Sequence, residues 1–249
     1  MRLSTGERTD DPPGRFREGW RLKVRAAAGL GLAVSAVVFS AAPRSTFPLD
    51  SMAGLELMNV KGEAATHLGR RAVRLIDEPR LIPDNAPAGG YDLAILSGSD
   101  FEDGTIDVEV AGAPRVGAAE GMRGFIGIAF RVQTGASRFE CFYLRPTNGR
   151  ADDQVRRNHT TQYISFPGFP WERLRKESAE TYESYVDLEP GAWTKLKIVV
   201  SGVRASLFVN GANQPCLIVK DLKLGKTRGQ IALWIGQDTD GYFSNLTIR

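Results

Sequence analysis

The sequence holds little of what builds metal centres or disulfide frameworks: two cysteines, Cys141 and Cys216, and two histidines, His67 and His159. Structural zinc sites take closely spaced Cys and His pairs, and no such spacing is present. Two cysteines are too few for a stapled scaffold. Cys141 lies in an apolar run and Cys216 in QPCLIVK, and both read as free thiols in apolar surroundings, although an exported chain permits a disulfide. Helical periodicity is almost missing. Only Trp171–Ser178 suits a short helix, which excludes helical bundles and alternating α/β architectures. There is no internal repeat and no low-complexity tract. Charge of one sign is scarce as well. The net charge is +3, but residues 1–44 carry eight Lys/Arg against four acids. The remainder keeps 24 of the 32 basic and 25 of the 29 acidic residues. A near-neutral domain gives no electrostatic basis for holding nucleic acid.

One long apolar run exists, Ala26–Ala42. Arg21, Lys23 and Arg25 precede it and the small residues Ser40, Ala41 and Ala42 end it, the layout of an export signal with cleavage after Ser40 or Ala42. The alternative is an uncleaved anchor, for which the run is at the short limit. Residues 1–43 are therefore read as an export signal or N-terminal anchor, and 44–249 as one domain, periplasmic or secreted. A membrane enters only through the N-terminal segment. About 200–250 residues is ordinary for a single all-β domain.

Short strands fill that domain. TFPLDSMAGLELMNV supplies an edge segment, Gly69–Asp77 and Tyr91–Gly98 read as strands, and EPRLIPDNAPAGG between them reads as a loop. After the turn at Asp103-Gly104, Thr105, Asp107 and Glu109 alternate with Ile106, Val108 and Val110, giving one acidic and one apolar face. Gly124–Val132 is apolar almost throughout. Trp193–Val200 and Arg204–Val209 precede the Asn210-Gly211 turn, and Leu217–Val219, Gln230–Ile235 and Tyr242–Ile248 finish the chain. Short strands joined by turns indicate a sandwich or jelly roll.

The stretch from Phe139 to Tyr185 is different. It opens as a strand, with Phe139, Cys141 and Tyr143 on one face and Glu140, Phe142 and Leu144 on the other. It turns at Pro146-Thr147-Asn148-Gly149 and then concentrates polar and aromatic groups in what reads as a long rim insertion. Sugars are held by aromatic faces and planar hydrogen-bonding groups, and Tyr143, Asn148, Arg157, Gln162, Tyr163, Trp171, Tyr182 and Glu183 supply both as candidate binding residues. The bland alternative is that the rings pin the insertion to the sheet. His159 titrates near neutrality and is the candidate general base, with Arg145 or Arg157 stabilising negative charge and Glu140 or Asp153 orienting it. Asp238, Asp240 and Asn245 are the only grouping that leaves calcium open; DTDG reads better as an ordinary turn, so no cofactor is expected.

Four segments, FEDGTIDVEV, GFIGIAFRV, WTKLKIVVSGVRASLFVNG and GQIALWIGQDTDGYFSNLTI, resemble the concanavalin A-like lectin/glucanase (laminin-G-like) superfamily, and more narrowly the 3-keto-disaccharide hydrolase-like (DUF1080) domains. The resemblance implies an all-β, two-sheet antiparallel jelly-roll sandwich that handles carbohydrate on its concave face and rim loops. The acidic strand also resembles that of family 16 glucanases, but Thr105 stands where their first acid would be, which counts against that hydrolysis. The leading expectation is a glycan-binding domain acting through residues 143–185. The alternatives are a glycoside-acting hydrolase or lyase, and a non-catalytic adhesion module.

Overall fold

The computed structural model describes residues 44–78 and 92–249. The segment read as an export signal or anchor, and the loop expected between Glu78 and Tyr91, fall outside the described residues but for Glu78. Strands β1 (Ser45–Phe47) and β2 (Leu55–Met58) occupy the region expected to hold one edge segment, and β3 (Val60–His67) follows where no strand was expected. β4 (Arg70–Asp77), β5 (Leu93–Leu96), β6 (Gly104–Pro114), β7 (Ile126–Val132) and β8 (Phe139–Leu144) follow. A 3-10 turn at Pro146–Asn148 and the short α1 (Gln154–Asn158) lead to β9 (Thr161–Phe166). Next come α2 (Trp171–Glu177), β10 (Glu183–Ser184), β11 (Thr194–Ser201), β12 (Arg204–Val209), β13 (Leu217–Val219), β14 (Gln230–Ile235) and β15 (Thr239–Ile248).

These strands form two antiparallel sheets. The larger runs β13-β12-β11-β6-β15-β4-β3, with β1 added against β15, and the smaller runs β10-β9-β8-β7-β14-β5-β2. The last two strands insert between early ones, β14 between β5 and β7 and β15 between β4 and β6, so the chain's end closes both sheets. The core lies between them. On β6 the apolar set Ile106, Val108 and Val110 is buried, while Asp107 and Glu109 sit on the other face, as the alternation requires. Each buried aliphatic side chain of this kind contributes about 1.5–3 kcal/mol.

Direct contacts fix which face of the smaller sheet looks inward. A Cβ placed on Gly112 of β6 would lie 2.6 Å from the Ile126 methyl, and one on Gly241 of β15 would lie 2.8 Å from that of Ile235. The sheets therefore meet closely over these two glycines. Paired residues share a face, so Ile126, Ile128, Phe142, Leu144, Leu233 and Ile235 all point inward. Their neighbours Tyr143, Cys141, Ala129 and Trp234 point outward.

Two expectations change. The insertion is not one long loop: β9 runs inside it and pairs with β8 from Phe139↔Phe166 to Leu144↔Thr161. Thr161, Tyr163 and Ser165 face inward while Gln162, Ile164 and Phe166 face outward, and polar residues on both faces hide the strand's period. The expected DTDG turn is shorter, because β15 already begins at Thr239. Cys141 is buried, Cys216 is half-buried, and both are free thiols.

Candidate functional site

The register builds a transverse row on the outward face of the smaller sheet. Glu183 of β10 pairs with Gln162 of β9, Gln162 with Tyr143 of β8, Tyr143 with Gly127 of β7, and Gly127 with Trp234 of β14. Gly127 is required there: a Cβ would lie 2.1 Å from the Phe142 carbonyl and 2.6 Å from the Tyr143 Cα. Its bare backbone lets the Tyr143 and Trp234 rings meet with centroids 4.7 Å apart.

Arg145 leaves β8 at the end of this row and organises it. Its Nη2 donates to the Tyr143 hydroxyl at 2.9 Å and to Gln162 Oε1 at 3.2 Å, and its Nη1 donates to the His159 carbonyl at 3.0 Å. Asn148 Nδ2 donates to the same carbonyl at 3.2 Å, and the Arg145 amide donates to Thr160 O at 2.7 Å. These bonds close the neck of the excursion from Arg145 to Thr160. Inside it, Asp153 caps α1 by accepting from the Arg156 amide at 3.1 Å.

Glu183 is the anionic hub. Arg175 of α2 grips its carboxylate with two bonds of 2.9 and 2.7 Å, His159 Nε2 lies 3.4 Å away, and Arg145 lies 3.8 Å away. The Glu183 and Arg145 side chains are only 3% and 6% exposed, so the charges are fixed rather than solvated. Trp171, one turn before Arg175, stacks under both guanidinium groups, with Arg175 at 4.6 Å and Arg145 at 5.8 Å from the ring centroid. Burial first, then the Arg175 and Arg145 charges, push the His159 pKa down against the opposing pull of Glu183. His159 is therefore the neutral imidazole at neutral pH. Burial drives the Tyr143 phenol up to about 12, which keeps it a neutral hydroxyl.

The structure thus brings together His159, Arg145, Tyr143, Gln162, Trp171, Glu183 and Asn148 from the expected set. It separates the others. Glu140 is corrected: it points inward from β8 and lies across the sheet from His159 and Arg145. It accepts from the Tyr163 hydroxyl at 2.6 Å and from the Leu224 amide at 2.8 Å. Burial raises its pKa, and the hydrogen bonds oppose that rise. Tyr163 and Tyr182 belong to the same inward network, since Tyr182 donates to Asp221 at 2.7 Å and receives from Lys223 Nζ at 2.7 Å. Arg157 turns to the surface, donating to the Tyr185 hydroxyl at 3.0 Å. In place of Glu140, Glu183 meets His159. Arg175 is the member the sequence concealed; its only signal was the i, i+4 spacing from Trp171 on the short helix.

By fold the chain is a concanavalin A-like jelly roll. A protein of unknown function with a galectin-like fold from Bacillus subtilis matches 82% of this chain and 94% of its own, at 11% identity and a TM-score of 0.54. The carbohydrate-binding module CBM66 from Bacillus subtilis covers 78% of this chain and 97% of its own at 12% identity and a TM-score of 0.49. A Bacillus licheniformis beta-glucanase covers 82% and 97% at 14% identity and 0.47. No protein-family model matches the sequence, and no curated protein matches it.

The other face of this jelly roll is chemically quieter. Asp107 and Glu109 line a depression of about 300 Å³ on the outward side of the larger sheet, with Lys195, Lys197, Phe208 and Asn245. Both acids are engaged, Asp107 by Arg249 and Glu109 by Arg70 and Asn245. The oxygens considered for calcium do not converge either. Asp238 holds Arg115 at 2.6 Å, Asp240 holds Arg74 at 2.7 Å, and Asn245 turns to Glu109.

Proposed function

We propose that the chain is an exported carbohydrate-recognising domain that binds its glycan on the outward face of the smaller sheet, at the ends of β8, β9 and β10. The observation that carries the reading is the row Glu183–Gln162–Tyr143–Trp234, with Arg145 and Trp171 at its end. Planar amide, carboxylate and guanidinium groups sit beside aromatic rings, the combination that sorts sugar hydroxyls from sugar C–H faces. Burial has already fixed these side chains, so little rotamer freedom is lost on binding. The composition of residues 1–43 supports export.

One observation favours a second reading, a hydrolase or lyase acting on a glycoside, such as a 3-keto-disaccharide. His159 is neutral, half-buried and 3.4 Å from a carboxylate able to orient it. This is the relation a general base needs. An adhesion module has less support, because the exposed large apolar residues of the described chain, such as Leu68, Val116 and Ile218, stand on separate elements.

The test is a panel of oligosaccharides, including oxidised (3-keto) disaccharides, incubated with the full chain while substrate mass and tryptophan fluorescence are followed. A fluorescence change with intact sugar supports binding. Products that disappear in His159→Ala move the enzyme to first place. Silence in both channels rejects carbohydrate.

A further inference from the structure

The larger sheet ends on a long open edge. β3 closes it beside β2 and β5, whereas β8, β9 and β10 lie towards the other end of the smaller sheet. β3 pairs with β4 through all eight residues without a register shift, and no described strand pairs with its other side. The strands at the other three sheet ends are shorter, with four residues in β2, three in β13 and two in β10. Proteins blunt long edges with proline, bulges or guarding charge. β3 has no proline and no bulge, and its two charged residues, Lys61 and Glu63, are of opposite sign.

The ladder decides which groups this edge presents. The Glu78 amide donates to the Asn59 carbonyl at 3.0 Å, one step before the first pair, Val60↔Asp77. Bonded and unbonded pairs alternate along an antiparallel ladder. Lys61, Glu63, Ala65 and His67 therefore bond to β4, while Val60, Gly62, Ala64 and Thr66 turn their N–H and C=O groups to the open side. Lys61 and Glu63 stand together on the outward face, their side chains 65% and 61% exposed. Lys61 has only Glu78, at 4.0 Å, as an ionic partner among the described residues. A trough of about 550 Å³ lies here, lined among others by Lys61, Gly62, Glu63, Arg74 and Glu78.

We propose that β3 pairs antiparallel with β3 of a second copy of this chain, about a two-fold axis at Gly62. Val60, Gly62 and Ala64 then exchange backbone bonds with the partner's Ala64, Gly62 and Val60. Lys61 falls opposite the partner's Glu63, and Glu63 opposite the partner's Lys61. Both are unbonded positions, where facing side chains come closest. Other registers that match the two faces lose this. Centring on Lys61 or Glu63 opposes like charges, which destabilises a pair. Centring on Ala64 or Ala65 sets Glu63 against an alanine or a histidine. Glu63 also holds Arg74 at 2.8 Å, so the new ion pairs join a network. The joint lies away from the glycan site, so this inference stands apart from that reading.

The test is sedimentation velocity of the full chain over about 1 to 100 µM, where a dimer fraction that grows with concentration is expected. Lys61→Glu and Glu63→Lys should each weaken the dimer about tenfold or more, because each sets like charges face to face. The chain carrying both reversals should recover the parent's affinity. Ala64→Pro removes an edge N–H without touching the ladder to β4 and should leave a folded monomer. Thermal unfolding checks that each variant is folded. A monomer throughout the range overturns the inference. So does a dimer indifferent to either single reversal, or one that the double reversal fails to restore.

Discussion

Replacing Glu183 with glutamine keeps the shape of the hub and removes its charge. In the native protein that carboxylate takes two bonds from Arg175, sits 3.8 Å from Arg145 and 3.4 Å from His159, and is 3% exposed. Breaking a buried pair by removing one partner costs about 3–5 kcal/mol, because the other charge is left buried alone. Arg175 is a third exposed and the amide still accepts one bond, so the lower end, about 3 kcal/mol, applies. For a domain of this size that lowers Tm by about 6–12 °C. Proton linkage adds a second readout. The fold holds the His159 pKa below its unfolded value of about 6.5, so the unfolded chain takes up the proton first on acidification. That contribution to stability is complete above about 6.5 and is lost as the pH falls through the folded pKa. Glu183 is the charge that most opposes the depression, so in Glu183→Gln the His159 resonance should titrate lower still. The assay is thermal unfolding across pH with NMR titration of the chain's two histidines. A Tm within about 2 °C of the parent, or a His159 pKa that rises, refutes the reasoning.

Three further outcomes follow from the same geometry. Glu140→Ala should lower stability by roughly 2–4 kcal/mol, since the Tyr163 hydroxyl and the Leu224 amide lose their acceptor, while leaving glycan affinity unchanged; urea unfolding and titration calorimetry separate the two. Gly127→Ala places a Cβ 2.1 Å from the Phe142 carbonyl and should cost about 3 kcal/mol in unfolding experiments, because backbone atoms on that side cannot give way. Trp171→Ala should weaken a bound saccharide by tenfold or more in the same calorimetric titration, through loss of the ring beneath Arg145 and Arg175.

The fold was legible wherever one strand face is apolar and the other polar. Ile106–Val110 with Asp107 and Glu109 gave β6, and Arg204–Val209 with Asn210-Gly211 gave β12 and its turn. β3 and β9 were hidden, because VKGEAATH carries few apolar residues and TQYISF carries polar groups on both faces. The site was legible as a region rather than as a set. Composition marked residues 143–185, and strand alternation already placed Glu140 opposite Tyr143. What decides membership is cross-strand register, which no local pattern reveals. Register set Glu183 beside Gln162 and Tyr143, and it carried Tyr163 inward to Glu140. Trp234 reaches the row from β14, far along the chain, so local proximity gave no sign of it, whereas Arg175 stands one turn from Trp171 on α2.

The most direct test of the central claim is a hydrogen-exchange footprint of the full chain with a saturating oligosaccharide that binds it. The account predicts added protection at residues 143–148, 156–163, 171–175 and 183, with none at 105–109 and 195–197. Protection confined to 105–109 and 195–197 would place the ligand in the depression beside Asp107 and Glu109, and would contradict the account.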